Sequence, residues 1–331
     1  MNDVGYLRES DYKSNESEVV FRKTDPWGPF RFAGINFTQK NTWNFGGKFV
    51  NNNIGVRWRS LSIQRRVEMD VKETFNWNTI DSRRLRGGPD VKYNPNFETE
   101  LALSTDRAKK TVFKLNYKGR HFIRQETQYN EIHPSMIFRL GNHFLITGQL
   151  DYAWNKDDLQ YVNSIALTEQ GVDKVAYIMG RMDQKTYGLT VNVQMNITPD
   201  LSVQYYGSPF TSVASYDQFK AAADTQSPRY VNRFSRFENH EIRYENERYY
   251  VDNESQGFSF KDPDFSFNEF RVNLVARWEY LPGSTLHFVG EHNRSNNDEM
   301  YHAGWGNNLD RLFKLPASNT FMMKVNYWFS L

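Results

Sequence analysis

Two pairs of carboxylates stand close enough along the chain to suggest acid–base work: Glu245 with Glu247, and Asp262 with Asp264. Glycoside hydrolysis needs two carboxyl groups flanking one bond, one to donate a proton and one to attack or to activate water. The spacing here is only local, however, and Asp262-Pro263-Asp264 reads better as a turn leading into a strand at 265. The seven His, at 121, 133, 143, 240, 287, 292 and 302, show no metal-ligand spacing, and there is no Cys to complete a zinc site. The oxygen-rich run Asn296, Asn297, Asp298 and Glu299 lacks EF-hand spacing. No glycine loop for phosphate, no nucleophile elbow and no Ser-His-Asp pattern is present. No catalytic residue, metal or cofactor is expected.

The segment 229–250, RYVNRFSRFENHEIRYENERYY, interleaves Arg with aromatic rings. Such a pattern can stack on bases or sugars and contact phosphate. Glu238, Glu241, Glu245 and Glu247 neutralise it, and the whole chain carries a net charge of only +2. A nucleic-acid partner is therefore not expected. A structured loop containing a β-hairpin and a glycan-contacting surface both remain open.

The elements that must carry these residues are strands. Of 331 residues only 39% are apolar, yet 16% are aromatic. Mean hydropathy is −0.74, and no stretch approaches the roughly 20 apolar residues of a spanning helix. A spanning β-strand needs only about 9–11 residues, half of them polar. Strict alternation fills that description. In 187–197, Tyr187, Leu189, Val191, Val193, Met195 and Ile197 oppose Gly188, Thr190, Asn192, Gln194 and Asn196. The pattern recurs at 67–77, with Glu73 as an exception on the apolar side, and at 144–154 and 270–280.

About 13 strands follow from this pattern, near 13–23, 30–45, 48–61, 66–79, 96–105, 110–122, 129–139, 143–156, 185–197, 200–216, 265–281, 284–294 and 317–331. Short turns such as ThrProAspLeu at 198–201 and LeuProGlySer at 281–284 alternate with long connections at roughly 80–95, 157–184, 217–264 and 295–316. Outer-membrane barrels show this alternation of short periplasmic turns and long outer loops. The expected fold is an all-β, antiparallel transmembrane β-barrel of outer-membrane type.

In that fold one strand face meets lipid and the other lines the interior. The interior is expected to hold Arg57, Arg59, Glu68, Asp70, Lys72, Lys114, Asp151, Asn192, Gln194, Arg271, Arg277, Glu279 and Lys324. Such charges must line water or pair across strands. A selective channel and a self-paired filling are the two readings. Trp43, Trp77, Trp154, Trp278, Tyr280, Tyr327 and Phe329 fall near strand ends, as interfacial aromatic girdles do. Trp305 sits in an expected loop, where it could stack on a sugar. The final strand sets Phe321, Met323, Val325, Tyr327, Phe329 and Leu331 on one face and looks like the sorting signal read by the barrel-insertion machinery.

Several blocks resemble one family: NDVGYLRESD at 2–11, GPFRFAGIN at 28–36, RGGP at 86–89, DQKTYGLTVNVQMNITPDLSVQYYGSPF at 183–210, DPDFSFNEFRVNLVARWEYLPGSTL at 262–286 and NTFMMKVNYWFSL at 319–331. Together they are similar to the C-terminal outer-membrane β-barrel domain of a family typical of Bacteroidota. Its N-terminal module resembles family 9 carbohydrate-binding domains. The resemblance implies a longer full chain, in which an export signal, that module and further strands precede this segment. It brings no functional residues. The expected function is transport or surface binding linked to carbohydrate capture in the bacterial outer membrane, with the bilayer, the insertion machinery and a glycan as partners. The alternative is a glycan-processing hydrolase whose site lies on the preceding module or the outer loops.

Overall fold

The computed structural model describes residues 11–169, 172–252 and 257–329. The resemblance block at 2–11, apart from Asp11, and Ser330 and Leu331 of the final strand lie outside the described residues. Among the described residues no helix is long and apolar enough to cross a membrane.

Alternating sequences form alternating strands. Thirteen run in one antiparallel meander: β1 (Lys13–Lys23), β2 (Phe30–Trp43), β3 (Phe49–Ser62), β4 (Glu68–Trp77), β5 (Asn96–Ser104), β6 (Thr111–Phe122), β7 (Gln128–Leu140), β8 (Phe144–Glu169), β9 (Val172–Asn196), β10 (Leu201–Ala222), β11 (Phe265–Leu281), β12 (Ser284–Asp298) and β13 (Ser318–Asn326). Each pairs with its sequence neighbours, and the short strand Phe234–Arg236 adds to β10. At one end of the sheet every connection has six residues or fewer; at the other stand the long connections 78–95, 223–264 and 299–317. Two glycines leave room for the tyrosine rings that lie over them. A Cβ on Gly119 would lie 2.3 Å from the Tyr117 hydroxyl, and one on Gly207 would lie 2.5 Å from that of Tyr205.

Three sequence expectations change, and one, a hairpin within 229–250, is met. The segment 157–184 is not a loop, because β8 and β9 continue through it as paired strands. Register shifts between Asp157 and Gln160, between Tyr161 and Asn163, and between Met179 and Arg181 break the period of two, which hides the strands from an alternation test. The 217–264 connection contains a small sheet of Ile242–Glu245, Arg248–Val251 and Phe258–Lys261, with Asn246 and Glu247 at positive φ in its tight hairpin turn. The 295–316 connection carries the last residues of β12 and one helix, α1 (Trp305–Lys314). Finally, the sheet is not closed into the expected barrel: β1 and β13 are its two edges, and every residue of both is exposed.

Candidate functional site: a two-faced sheet and a roofed polar cavity

Residues paired across neighbouring strands point the same way, so the register assigns each side chain to a face. One row reads Arg57, Lys72, Glu100, Lys118 and Glu131 across β3 to β7. The next contains Arg59, Asp70 and, two strands on, Asn116 and His133. All thirteen residues expected in the interior share this one polar face.

Most of the charges there are matched. Arg57 holds Asp70 through Nε at 2.7 Å and Nη2 at 2.5 Å, while Arg59 Nε adds a third contact at 3.1 Å. Arg107 reaches Glu68 at 2.5 Å, Lys72 lies 3.3 Å from Glu100, and His133 Nδ1 lies 2.6 Å from Asp151. Arg271 pairs with Glu269 at 2.6 Å and Arg277 with Glu279 at 2.9 Å. Lys114, Asn192, Gln194 and Lys324 share the face without a side-chain partner among the described residues. Mixed signs at contact distance cancel rather than focus a field, so the polar face is largely self-paired.

The opposite face is apolar and open. Val19, Phe37, Ile54, Phe97, Phe113, Met136, Leu150, Leu274, Phe288 and Met323 lie on it and are all more than a third exposed. Glu73, the expected exception, is on this face and accepts a 2.7 Å hydrogen bond from Thr99. The aromatic residues divide by end. Trp43, Trp77 and Trp154 close the apolar face toward the long connections, while Trp278, Tyr280, Tyr327 and Phe329 lie toward the short turns. Tyr152 bridges Trp154 and Tyr187 with centroids 5.1 Å from each.

At the long-connection end the polar face is roofed. Arg84, in the 78–95 connection, reaches across β5, β6 and β7 to pair with Asp157 of β8, and its Nε donates to the Leu159 carbonyl at 2.7 Å. Burial is the largest single effect on the Arg84 guanidinium and would lower it, but the charge of Asp157, the phenols of Tyr93 and Tyr129 and the hydrogen bond to Asp157 together outweigh it and the net shift is upward. Tyr129 donates to the same carboxylate at 2.7 Å. Beside it Lys220 gives its ammonium to the carbonyl and carboxylate of Asp158, both at 2.7 Å, and Tyr230 also donates to Asp158. Burial pulls Lys220 below the usual lysine range against that carboxylate, and it pushes the Tyr93 and Tyr230 phenols up.

Segments distant in sequence close the roof. Lys48 bonds Asp90 at 3.1 Å and Gln226 at 2.6 Å, and Arg233 donates to the Lys92 carbonyl at 2.8 Å. Leu85, Val91, Tyr93, Leu159 and Met179 form its dry core. Under the roof lies a cavity of about 370 Å³, floored by Asn51, Asn76, Asn96, Arg120 and Phe122 of the polar face and covered by 79–84 and Tyr93. Sequence alternation missed this assembly because its members are loop residues, residues of the shifted part of β8, and Tyr129 and Lys220 at the ends of β7 and β10. The available signal was the adjacent pair Asp157-Asp158 interrupting a strand.

Other expected residues have structural employment. Glu245 and Glu247 flank the tip of the exposed hairpin, Asp262 accepts the Asp264 backbone N–H at 3.1 Å, and Asp264 accepts that of Tyr216 at 2.7 Å. Burial, with Asp262 and Asp217 nearby, pushes the Asp264 carboxyl up to about 6 although the Tyr216 N–H opposes the shift. Asp298 and Glu299 are taken by Arg311 and Lys261. Trp305 is not in a loop: it opens α1 and stacks on Tyr187, 6.1 Å between centroids. Phe313 packs on Phe270 at 5.2 Å, so α1 lies on the apolar side of the sheet. His287 and His292 fall on opposite faces of β12. Among the described residues no three His, Asp or Glu converge to hold a metal ion.

No curated protein matches this chain. A family model does, over residues 1–330, and the chain belongs to the family described as Domain of unknown function (DUF5916).

Proposed function

We propose that this chain is the membrane-spanning barrel domain of a bacterial outer-membrane protein, serving transport or surface binding linked to carbohydrate capture. The polar face turns inward and the apolar face meets hydrocarbon. The long connections stand outside the cell and the short turns in the periplasm. The exposed edges of β1 and β13 join, directly or through further strands, since closure removes edges that would otherwise aggregate. β13 presents the pattern read by the insertion machinery. The carbohydrate link rests on the resemblance to Bacteroidota proteins with a family 9-like module. Nucleic acid is not among the partners, and the segment carries no chemistry of its own.

One observation carries this reading: the exposed large apolar side chains from Phe37 of β2 to Phe288 of β12 gather on one face of the sheet, with Val20 and Met322 of the two edge strands as exceptions, while the ion pairs gather on the other. Water-soluble monomers rarely expose apolar patches beyond a few hundred Å². Here such a surface crosses the sheet from Val19 to Met323. Aromatic residues at both ends of that surface mark two interfaces. The test is refolding the chain with lipid vesicles. Vesicle-bound protein that migrates faster unheated than heated supports the proposal. A monomer that stays in buffer, folded and free of vesicles, overturns it.

A further inference from the structure

We propose that the cavity beneath the 78–95 connection is a binding site for a neutral saccharide unit, one or two rings in size. Its volume of about 370 Å³ lies within the roughly 300–1,000 Å³ of ligand sites. The chemistry of its walls selects the ligand class.

The floor presents a paired amide. Asn76 Nδ2 donates to Asn96 Oδ1 at 3.1 Å, so Asn76 Oδ1 remains an acceptor and Asn96 Nδ2 a donor. Both residues line the cavity and are more than nine-tenths buried, at 8% and 3% exposure. An acceptor and a donor suit hydroxyl groups, each of which donates and accepts. Two rings add apolar faces for the C–H side of a sugar. Tyr93 and Phe122 both line the cavity, with centroids 5.5 Å apart and planes inclined by 45°.

Charge argues for a neutral ligand. Arg84 is spent on Asp157, and Arg120 gives Nη2 to Glu98 at 2.8 Å. Both guanidinium groups have a carboxylate partner, and Arg83 and Asp81, which also line the cavity, add one charge of each sign, while Arg120 keeps further N–H groups for hydroxyl oxygens. The cavity lies at the long-connection end, so its access to external glycans rests on the outer-membrane reading above. Its chemistry does not.

The test uses the full chain in detergent micelles. Maltose, cellobiose and lactose serve as neutral probes, with inorganic sulfate and a sulfated disaccharide as anionic ones, and binding is read by saturation-transfer NMR and titration calorimetry. At least one neutral disaccharide should bind. Asn96→Asp, which keeps the shape and removes the donor, should weaken that binding about tenfold or more. Asn76→Asp, which removes the N–H that holds Asn96 Oδ1, should weaken it as well, with circular dichroism showing that both variants keep the parent's fold. Binding of anionic probes alone, no binding of any neutral probe, or unchanged affinity in Asn96→Asp overturns the site. Should saccharide bind and respond to Asn96→Asp while the chain ignores vesicles, the site stands and the membrane reading falls.

Discussion

Arg84 and Asp157, 73 residues apart in sequence, form the ion pair that ties the connection after β4 to the far side of the polar face. Both side chains are well buried, at 16% and 2% exposure. The pair therefore behaves unlike the partly exposed pairs of the strand ladder, which contribute little individually.

Removing one member should be costly. Asp157→Asn leaves the Arg84 guanidinium buried without its countercharge, and the expected loss is about 3–5 kcal/mol. Replacing both with leucine should recover much of it, because no unpaired charge remains. Denaturant unfolding of the two single variants and the double variant measures this directly. Equal losses for single and double variants would show that the pair is not what holds the roof.

Facing decides the second prediction. Val193 lies between Ile146 and Tyr205 on the apolar side, and Asn192 lies between Thr147 and Tyr206 on the polar side. In lipid, Val193→Arg should cost on the order of 2–4 kcal/mol, while Asn192→Arg should be tolerated. A refolding titration in lipid compares them, and equal costs contradict the assignment.

Asp264 gives a pH dependence with a definite sign. Its folded value of about 6 exceeds the ordinary 3.8, so the folded chain holds this proton more tightly than the unfolded one. The associated stability is complete below the unfolded value and is lost as pH rises through the folded one. Asp264→Asn keeps an oxygen for the Tyr216 N–H and removes the titration. Its unfolding midpoint should therefore gain on the parent's between about pH 4 and pH 6 and run parallel to it above about pH 7. A constant difference across that range would show that Asp264 does not titrate there.

The strand order was legible because a one-residue slip moves every side chain to the other face, so alternation is under strong constraint wherever two faces differ. Leu189, Val193 and Arg277 could be assigned to faces before any register was known. Closure was not legible from alternation, since the pattern of β1 or β13 says nothing about which strand pairs beyond it. The roof was illegible for another reason. Arg84, Asp157, Lys220 and Tyr230 come together only through long-range packing, and none sits in a periodic run. Helix α1 was missed because Gly306, Asn307 and Asn308 are poor helix formers. Its position is held instead by Trp305 on Tyr187, Phe313 on Phe270, and Arg311 on Asp298.

That anchorage can be tested. Asp298 accepts from His302 at 2.9 Å and pairs with Arg311, and the hydrogen bond from His302 leads the effects that hold its carboxyl below the usual range. Asp298→Asn should weaken both contacts and loosen α1 without disturbing the strands. Hydrogen exchange should quicken over 305–314 and stay unchanged over β11. Unaltered exchange in the helix would assign its docking to the rings alone.

The central claim is that the apolar face meets hydrocarbon. Because the native chain has no cysteine, single cysteines can be placed at consecutive positions from Leu189 to Gln194, spin-labelled and studied in lipid vesicles. Collision with dissolved oxygen should be high at 189, 191 and 193 and low at 190, 192 and 194, with a water-soluble nickel complex giving the reverse. Uniform accessibility along the strand, or the opposite phase, would contradict the account.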